Sequence, residues 1–136
     1  MEVFFYGLFM DLKLLEKNGL HPSNARQAYL QDYTLKIGSR ASLLPTLGAS
    51  AYGLVITVDA AAIGALYSEA SVAGYVPEPV EVVTGEGAKV AATCYNLPTH
   101  LLKGTNVAYA EQLYRLAKAL DFPQEYLSQI QQFMLN

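Results

Sequence analysis

The sequence predicts a single α+β domain, and three features of the chain lead to that prediction. β-Branched and aromatic residues form short runs with the character of strands, beginning with Glu2 to Tyr6 (EVFFY). Asp11 and Asp59 each precede apolar residues at helical spacing, as helix N-caps do. Residues 107–134 carry two apolar stripes with helical periodicity. With 136 residues, of which 52% are apolar, the chain is long enough to bury a core of its own.

The first strand leads through Gly7 into a helix that Asp11 caps and Gly19 ends. A glycine turn between a strand and a helix can aim several backbone N–H groups at one point, where they bind carboxylate or phosphate. The alternative is a plain connection between strand and helix that binds nothing. The residues alone favour the plain connection, because such turns are common wherever a strand is followed by a helix.

Residues 25–38 predict one or two strands with a break near Asp32. His21, in the loop before them, has no histidine, cysteine or carboxylate at metal-binding spacing and is interpreted as a solvated residue. Arg40 is the one charge just ahead of a long uncharged stretch. It either faces an anionic ligand or caps the end of the strand, and the sequence leaves both open.

The uncharged stretch runs from Ala41 to Val58. It contains Pro45, Gly48 and Gly53, and it therefore predicts two buried strands joined by a turn rather than a membrane helix. The β-branched density of its second half is typical of a central strand. Within that strand, Gly53 indicates a bulge or a close approach of two backbones.

Asp59 starts a short alanine-rich helix that is predicted to end close to Glu69. A carboxylate at a helix C-terminus faces the negative end of the helix dipole, which costs about 0.3 to 1 kcal/mol. An unfavourable placement of this kind makes Glu69 a candidate functional residue. The alternative is that the helix stops earlier and that Glu69 is an exposed loop charge.

The remaining chain predicts two strands and two helices. Tyr75 to Val83 forms a strand that its two prolines place at a sheet edge or bulge, and a turn at Gly85 to Gly87 leads to a strand at Ala88 to Leu97. Cys94 in that strand is interpreted as a core residue. The two C-terminal stripes, with Pro123 at the start of the second helix, face the core or form a dimer seam. A monomer is favoured over a homodimer because the chain suffices for burial.

Composition and charge exclude several classes of function. The net charge is −3, so there is no strongly basic surface for nucleic acid. A single cysteine excludes an internal disulfide and a multi-thiolate zinc site, and it fits a reducing cytoplasm. The N-terminus lacks the basic and then apolar order of a signal peptide. The serine-hydrolase, P-loop and zincin motifs do not occur.

Five stretches resemble the gamma-glutamylcyclotransferase-like family, and their order and spacing match it over nearly the whole chain. They are FFYGLFMD, GSRASLLP followed by SAYGLVITV, ALYSEASVAGY, and EYLSQI. The resemblance implies the family's fold, which is a small mixed β-barrel with helices packed outside. Composition and periodicity alone predict no more than α+β.

The resemblance also implies a set of site residues. Glu69 falls on the family's catalytic glutamate, and Tyr75 falls on the aromatic residue that follows it. The family's substrate-binding loop falls on Tyr6, Gly7, Leu8, Phe9 and Met10. Two features depart from the pattern: Leu8 stands where a small hydroxyl residue is usual, and the spacing ahead of Glu69 is one residue shorter than the commonest form. A ligand could still bind to backbone N–H groups beside Leu8, but the leucine side chain could also fill the pocket.

The activity that the resemblance implies is an intramolecular aminolysis. The free α-amine of a gamma-glutamyl amino acid or amine attacks its own γ-carbonyl, which yields 5-oxoproline and a free amine without a cofactor or metal. Glu69 would be the general base, and the loop N–H groups would stabilise the oxyanion and hold the substrate carboxylate. The alternative from another class is a non-catalytic small-molecule-binding module on the same fold, for which Leu8 is the motivating residue.

Overall fold

The computed structural model describes residues 1–135, which form five strands and four helices. The strands are β1 (Glu2–Phe5), β2 (Ser23–Ile37), β3 (Ala41–Thr57), β4 (Val76–Thr84) and β5 (Lys89–Asn96), and the helices are α1 (Leu12–Lys17), α2 (Ala60–Leu66), α3 (Val107–Ala119) and α4 (Gln124–Gln132). The strands close into a barrel in the order β1, β3, β2, β4, β5. β1 pairs with β5 in parallel, and all other neighbours pair antiparallel. The predicted small mixed β-barrel with outer helices is confirmed.

β1 is central to the barrel, since it pairs with β3 on one side and β5 on the other. Its side chains Val3, Phe4 and Phe5 are all buried, as predicted for a strand covered on both faces. Beside it, a β-carbon on Gly53 of β3 would collide with the carbonyl oxygen of Phe5 and the ring of Phe4. Gly53 therefore allows a close approach of two backbones, which the sequence predicted.

β2 and β3 form one long antiparallel hairpin whose register shifts at Asp32. Asp32 has a φ of +67°, and its carboxylate accepts a hydrogen bond from the N–H of Gly48 at 2.9 Å. The predicted break at Asp32 is thus a bulge inside one strand. The prediction that Ala41 to Val58 holds two strands joined by a turn is wrong. β3 continues through Pro45 and Gly48 because the bulge takes up extra residues without ending the pairing.

The two short helices begin where the sequence predicts. The side chain of Asp11 accepts a hydrogen bond from the N–H of Lys13, and that of Asp59 accepts one from the N–H of Ala61. The end of α2 differs from the prediction, because the helix stops at Leu66 and does not reach Glu69. The dipole argument for Glu69 therefore does not apply.

The apolar stripes of α3 and α4 face the core of this chain. Their buried residues join the barrel side chains in one hydrophobic cluster, and these residues are Ala110, Leu113, Ala117, Tyr126, Leu127 and Ile130. The register of the two helices thus follows the periodicity seen in the sequence. Among residues 1–135, no helix is both long enough and apolar enough to cross a membrane.

Candidate functional site

A cavity of about 390 Å³ lies where the loop after β1, the start of β3 and the segment joining α2 to β4 meet. Six of the seven site residues that the sequence suggested line it, namely Tyr6, Gly7, Leu8, Phe9, Tyr75 and Glu69. Residues distant in the chain therefore share one space. The exception is Met10, whose side chain is buried in the core.

The loop after β1 lines the cavity, and some of its backbone donors have no carbonyl partner among the described residues. Leu8–Met10 forms a single 3-10 turn, in which the N–H of Met10 donates to the carbonyl of Gly7 at 3.1 Å. No carbonyl oxygen within residues 1–135 accepts a hydrogen bond from the N–H of Gly7, Leu8 or Phe9. The expectation of free N–H groups therefore holds for Gly7 and Phe9. The N–H of Leu8 donates to the hydroxyl oxygen of Tyr109 and the N–H of Met10 closes the turn, so these two groups are corrections.

An aromatic wall, formed by Phe9, Tyr67, Tyr75 and Tyr95, covers one part of the cavity. The rings of Tyr67 and Tyr95 stack with centroids 4.0 Å apart and an interplanar angle of 9°. Tyr75 and Phe9 pack against Tyr67 with centroid distances of 5.9 Å and 6.2 Å. The hydroxyl of Tyr6 donates to the carbonyl of Tyr95 at 2.7 Å, which fixes the base of the wall to the loop. Sequence reasoning missed Tyr67 and Tyr95.

The tyrosines at the cavity are neutral donors and not bases. Burial raises the pKa of Tyr6, Tyr67 and Tyr109 well above the usual range of a phenol. Burial also raises the pKa of Tyr75, to about 12, although the nearby charge of Arg40 acts in the opposite direction. Cys94 is fully buried, and burial raises the pKa of its thiol to about 12, so the predicted core role is confirmed.

Glu69 is the only Asp or Glu among the described residues that line the cavity. It lies beyond the end of α2 and immediately before a 3-10 turn at Ala70–Val72. It is exposed, and its carboxyl group makes no ion pair or hydrogen bond within residues 1–135. The sequence alternative of an early helix end and an exposed Glu69 is thus correct, but the residue also lines the cavity.

Arg40 is the only Arg, Lys or His among the described residues that line the cavity. Its Nη1 donates to the carbonyl of Ala73, and its guanidinium carbon lies 5.5 Å from the ring centre of Tyr75. The hydroxyl of Tyr75 in turn donates to the carbonyl of Ala41. These contacts hold the segment after Glu69 against the start of β3.

The groups around the cavity suit a small ligand that carries both a carboxylate and an amine. Backbone N–H groups and Arg40 supply donors for carboxylates, and Glu69 supplies an acceptor for an amine. Within residues 1–135, no three His, Cys, Asp or Glu side chains are grouped so that they could hold a metal ion.

Comparison with known proteins relates the fold to solved structures. No protein-family model matches the chain, and no curated protein matches it by sequence. A gamma-glutamyl cyclotransferase is similar in structure, with a TM-score of 0.79 and 19% identity over 100% of this chain and 89% of that one. An uncharacterized protein from Homo sapiens has a TM-score of 0.77 and 21% identity over 99% and 88% of the two chains.

A gamma-glutamyl cyclotransferase specific to glutathione, from yeast, has a TM-score of 0.65 and 13% identity, over 98% of this chain and 95% of that one. The likeness thus extends over nearly the full length of both chains, at identities where the fold alone is shared. The protein has the gamma-glutamyl cyclotransferase fold.

Proposed function

We propose that this protein is a gamma-glutamyl cyclotransferase-type enzyme, in which Glu69 is the general base. The observation that carries the proposal is the cavity that Glu69 shares with Gly7, Leu8 and Phe9 of the loop, in which the N–H groups of Gly7 and Phe9 have no acceptor within residues 1–135. A carboxylate base and a set of oxyanion donors facing one small space are what intramolecular aminolysis requires. The shared fold supports the same reaction class.

The substrate carries its own nucleophile. The protein must therefore bind the substrate, deprotonate its amine and stabilise the tetrahedral intermediate. The α-amine nitrogen attacks the γ-carbonyl carbon and forms the lactam bond, while the bond from the same carbonyl carbon to the leaving nitrogen breaks. Glu69 takes the proton that the attacking amine loses and delivers a proton to the leaving nitrogen, so that 5-oxoproline and a neutral amine result. The loop N–H groups stabilise the negative charge on the carbonyl oxygen of the tetrahedral intermediate.

The aromatic wall contributes by holding the substrate in a folded shape. An extended gamma-glutamyl chain must bend to bring its amine to its own γ-carbonyl, and a confined cavity favours that conformer. The rings of Tyr67 and Tyr95 stack on each other, and the hydroxyl of Tyr6 donates a hydrogen bond to the backbone carbonyl of Tyr95. The wall is therefore ordered before the ligand binds, and binding loses little conformational entropy there.

The test is the release of 5-oxoproline from a panel of gamma-glutamyl amino acids and gamma-glutamyl amines by the purified protein. We expect turnover of at least one compound without added metal or nucleotide. A chromatographic assay of 5-oxoproline, with heat-denatured protein as the control for spontaneous cyclisation, measures it directly.

A second candidate is a binding module that has kept the fold and lost the reaction. Leu8 favours it, because this residue lines the cavity at the position where the resembling family has a small hydroxyl residue. If no compound in the panel yields 5-oxoproline while one of them still raises the melting temperature, the binding module replaces the enzyme.

A further inference from the structure

Arg40 has binding capacity that the protein itself does not use. A guanidinium group carries five N–H donors. Nη1 donates to the carbonyl of Ala73, and within residues 1–135 no carboxylate forms an ion pair with Arg40. The side chain is half-buried in the lining of a largely aromatic cavity. A cation held there without a counter-ion is ready to accept a carboxylate from a ligand.

The charges around the cavity indicate where that carboxylate comes from. In the proposed reaction, the loop N–H groups bind the α-carboxylate of the glutamyl group, and Glu69 takes a proton from its amine. Glu69 and Arg40 do not pair with each other, so each is open to the ligand. A gamma-glutamyl amine has only one carboxylate, whereas a gamma-glutamyl amino acid has a second one on the leaving group. The second carboxylate is the kind of partner that Arg40 does not find within residues 1–135.

We infer that Arg40 is a specificity-determining residue, which binds the carboxylate of the leaving amino acid and selects gamma-glutamyl amino acids over the corresponding amines. The inference rests on the proposed function and specifies the leaving group. The aromatic wall adjoins Arg40 through Tyr75, on whose ring the guanidinium lies. The side chain of the preferred leaving amino acid is therefore apolar or aromatic.

The fixed position of Arg40 makes such selection effective. The guanidinium is held by the carbonyl of Ala73 and by the ring of Tyr75, so its planar donor edge is oriented before the ligand arrives. A planar fork that is already oriented loses little entropy when it binds a carboxylate through two parallel hydrogen bonds.

The test uses two compounds that differ only in the carboxylate, gamma-glutamylphenylalanine and gamma-glutamyl-2-phenylethylamine. We expect the wild type to prefer the first by about 10-fold or more in kcat/KM, since a charge-assisted hydrogen bond to a carboxylate is among the strong ones. Arg40→Gln should bring the ratio close to one by lowering kcat/KM for the amino acid compound alone. Arg40→Lys, which keeps the charge but not the fork, should retain part of the preference.

Tyr75→Phe is the control for a purely structural role. It removes the hydrogen bond to Ala41 that holds the same segment, but it keeps the cation and the ring. We expect it to change kcat/KM for both compounds by the same factor and to leave the ratio unchanged. If Arg40→Gln likewise lowers both compounds equally, Arg40 only supports the segment and the inference is overturned.

Failure of the inference can be told apart from failure of the proposed function. If the wild type releases 5-oxoproline from no compound of the panel, these two included, the enzymatic proposal fails. The inference is then judged by the dissociation constants of the two compounds, measured by calorimetry for the wild type and Arg40→Gln. A wild-type preference for the amino acid compound that Arg40→Gln abolishes supports it, and equal affinities overturn it.

Discussion

The hydroxyl oxygen of Tyr109, on α3, occupies the space that a β-carbon on Gly7 would need. Gly7 has a φ of −109°, which is in the region open to all residues, so its backbone conformation does not require glycine. The requirement comes from the close approach of Tyr109. One contact thus joins an outer helix to the loop that lines the cavity.

Gly7→Ala should therefore destabilise the protein through a collision with Tyr109. We expect a loss of about 1 to 3 kcal/mol in the free energy of unfolding, typical of overpacking in a well-packed site, together with weaker turnover or ligand binding. Tyr109→Phe removes the colliding oxygen, so the double variant should recover part of both losses. Urea denaturation and the 5-oxoproline assay measure the two effects. A Gly7→Ala protein as stable and as active as the wild type would contradict the contact.

The side chain of Glu2, at the start of β1, forms hydrogen bonds to residues of the strands β2 and β3. Its carboxylate accepts hydrogen bonds from the guanidinium of Arg26 and the hydroxyl of Thr57. Burial acts to raise the pKa of Glu2, but these two bonds and the charge of Arg26 outweigh it, and the pKa is lowered. A carboxylate with a lowered folded pKa adds stability above its unfolded pKa, about 4.3, and that stability is lost as the pH falls through the folded pKa.

Glu2→Gln should accordingly destabilise the protein at pH 7 by about 1 kcal/mol, and by less at pH 3. Urea denaturation at the two pH values measures the difference. Glu81→Gln is the matched control: Glu81 and Lys89 are both largely exposed and 4.0 Å apart, so we expect little change at either pH. A loss from Glu2→Gln that does not depend on pH would show that the ionised form of Glu2 is not what stabilises the fold.

The sequence predicted those helices and strands that are determined by residues close to one another in the chain. Asp11 and Asp59 cap helices through N–H groups two residues away, and the apolar run of β1 is sufficient to make it a buried strand. The continuity of β3 was not predictable in this way. It depends on the bond between Asp32 and Gly48, which belong to different strands. A pattern within one strand cannot show what its partner does.

The candidate site shows the same division. The loop residues were identified by resemblance, and one of them, Met10, does not line the cavity, because its side chain is buried in the core. Tyr95 and Tyr109 line the cavity from β5 and α3, far along the chain from the loop. The chain has ten tyrosines, and only the folded barrel determines which of them meet at the cavity. Arg40 stayed ambiguous in the sequence because its contacts lie in a segment more than thirty residues away.

The most direct test of the catalytic proposal is Glu69→Gln. The substitution keeps the size of the side chain and removes its capacity to accept a proton. We expect kcat for 5-oxoproline release to fall by at least ~10²-fold, the low end of what positioned proton transfer contributes. Stability should change by less than about 0.5 kcal/mol, because Glu69 is exposed and bonds to nothing within residues 1–135.

Glu78→Gln should show the opposite pattern. The carboxylate of Glu78 accepts hydrogen bonds from the hydroxyl of Tyr33 at 3.1 Å and from the amide of Asn96 at 2.8 Å, and Glu78 does not line the cavity. A charged acceptor in such a network contributes about 1 to 3 kcal/mol, so this variant should lose stability and keep its turnover. A Glu69→Gln protein that still turns over at the wild-type rate would remove Glu69 from the mechanism. Loss of turnover in both variants would instead show that the barrel's integrity, and not one carboxylate, limits the reaction.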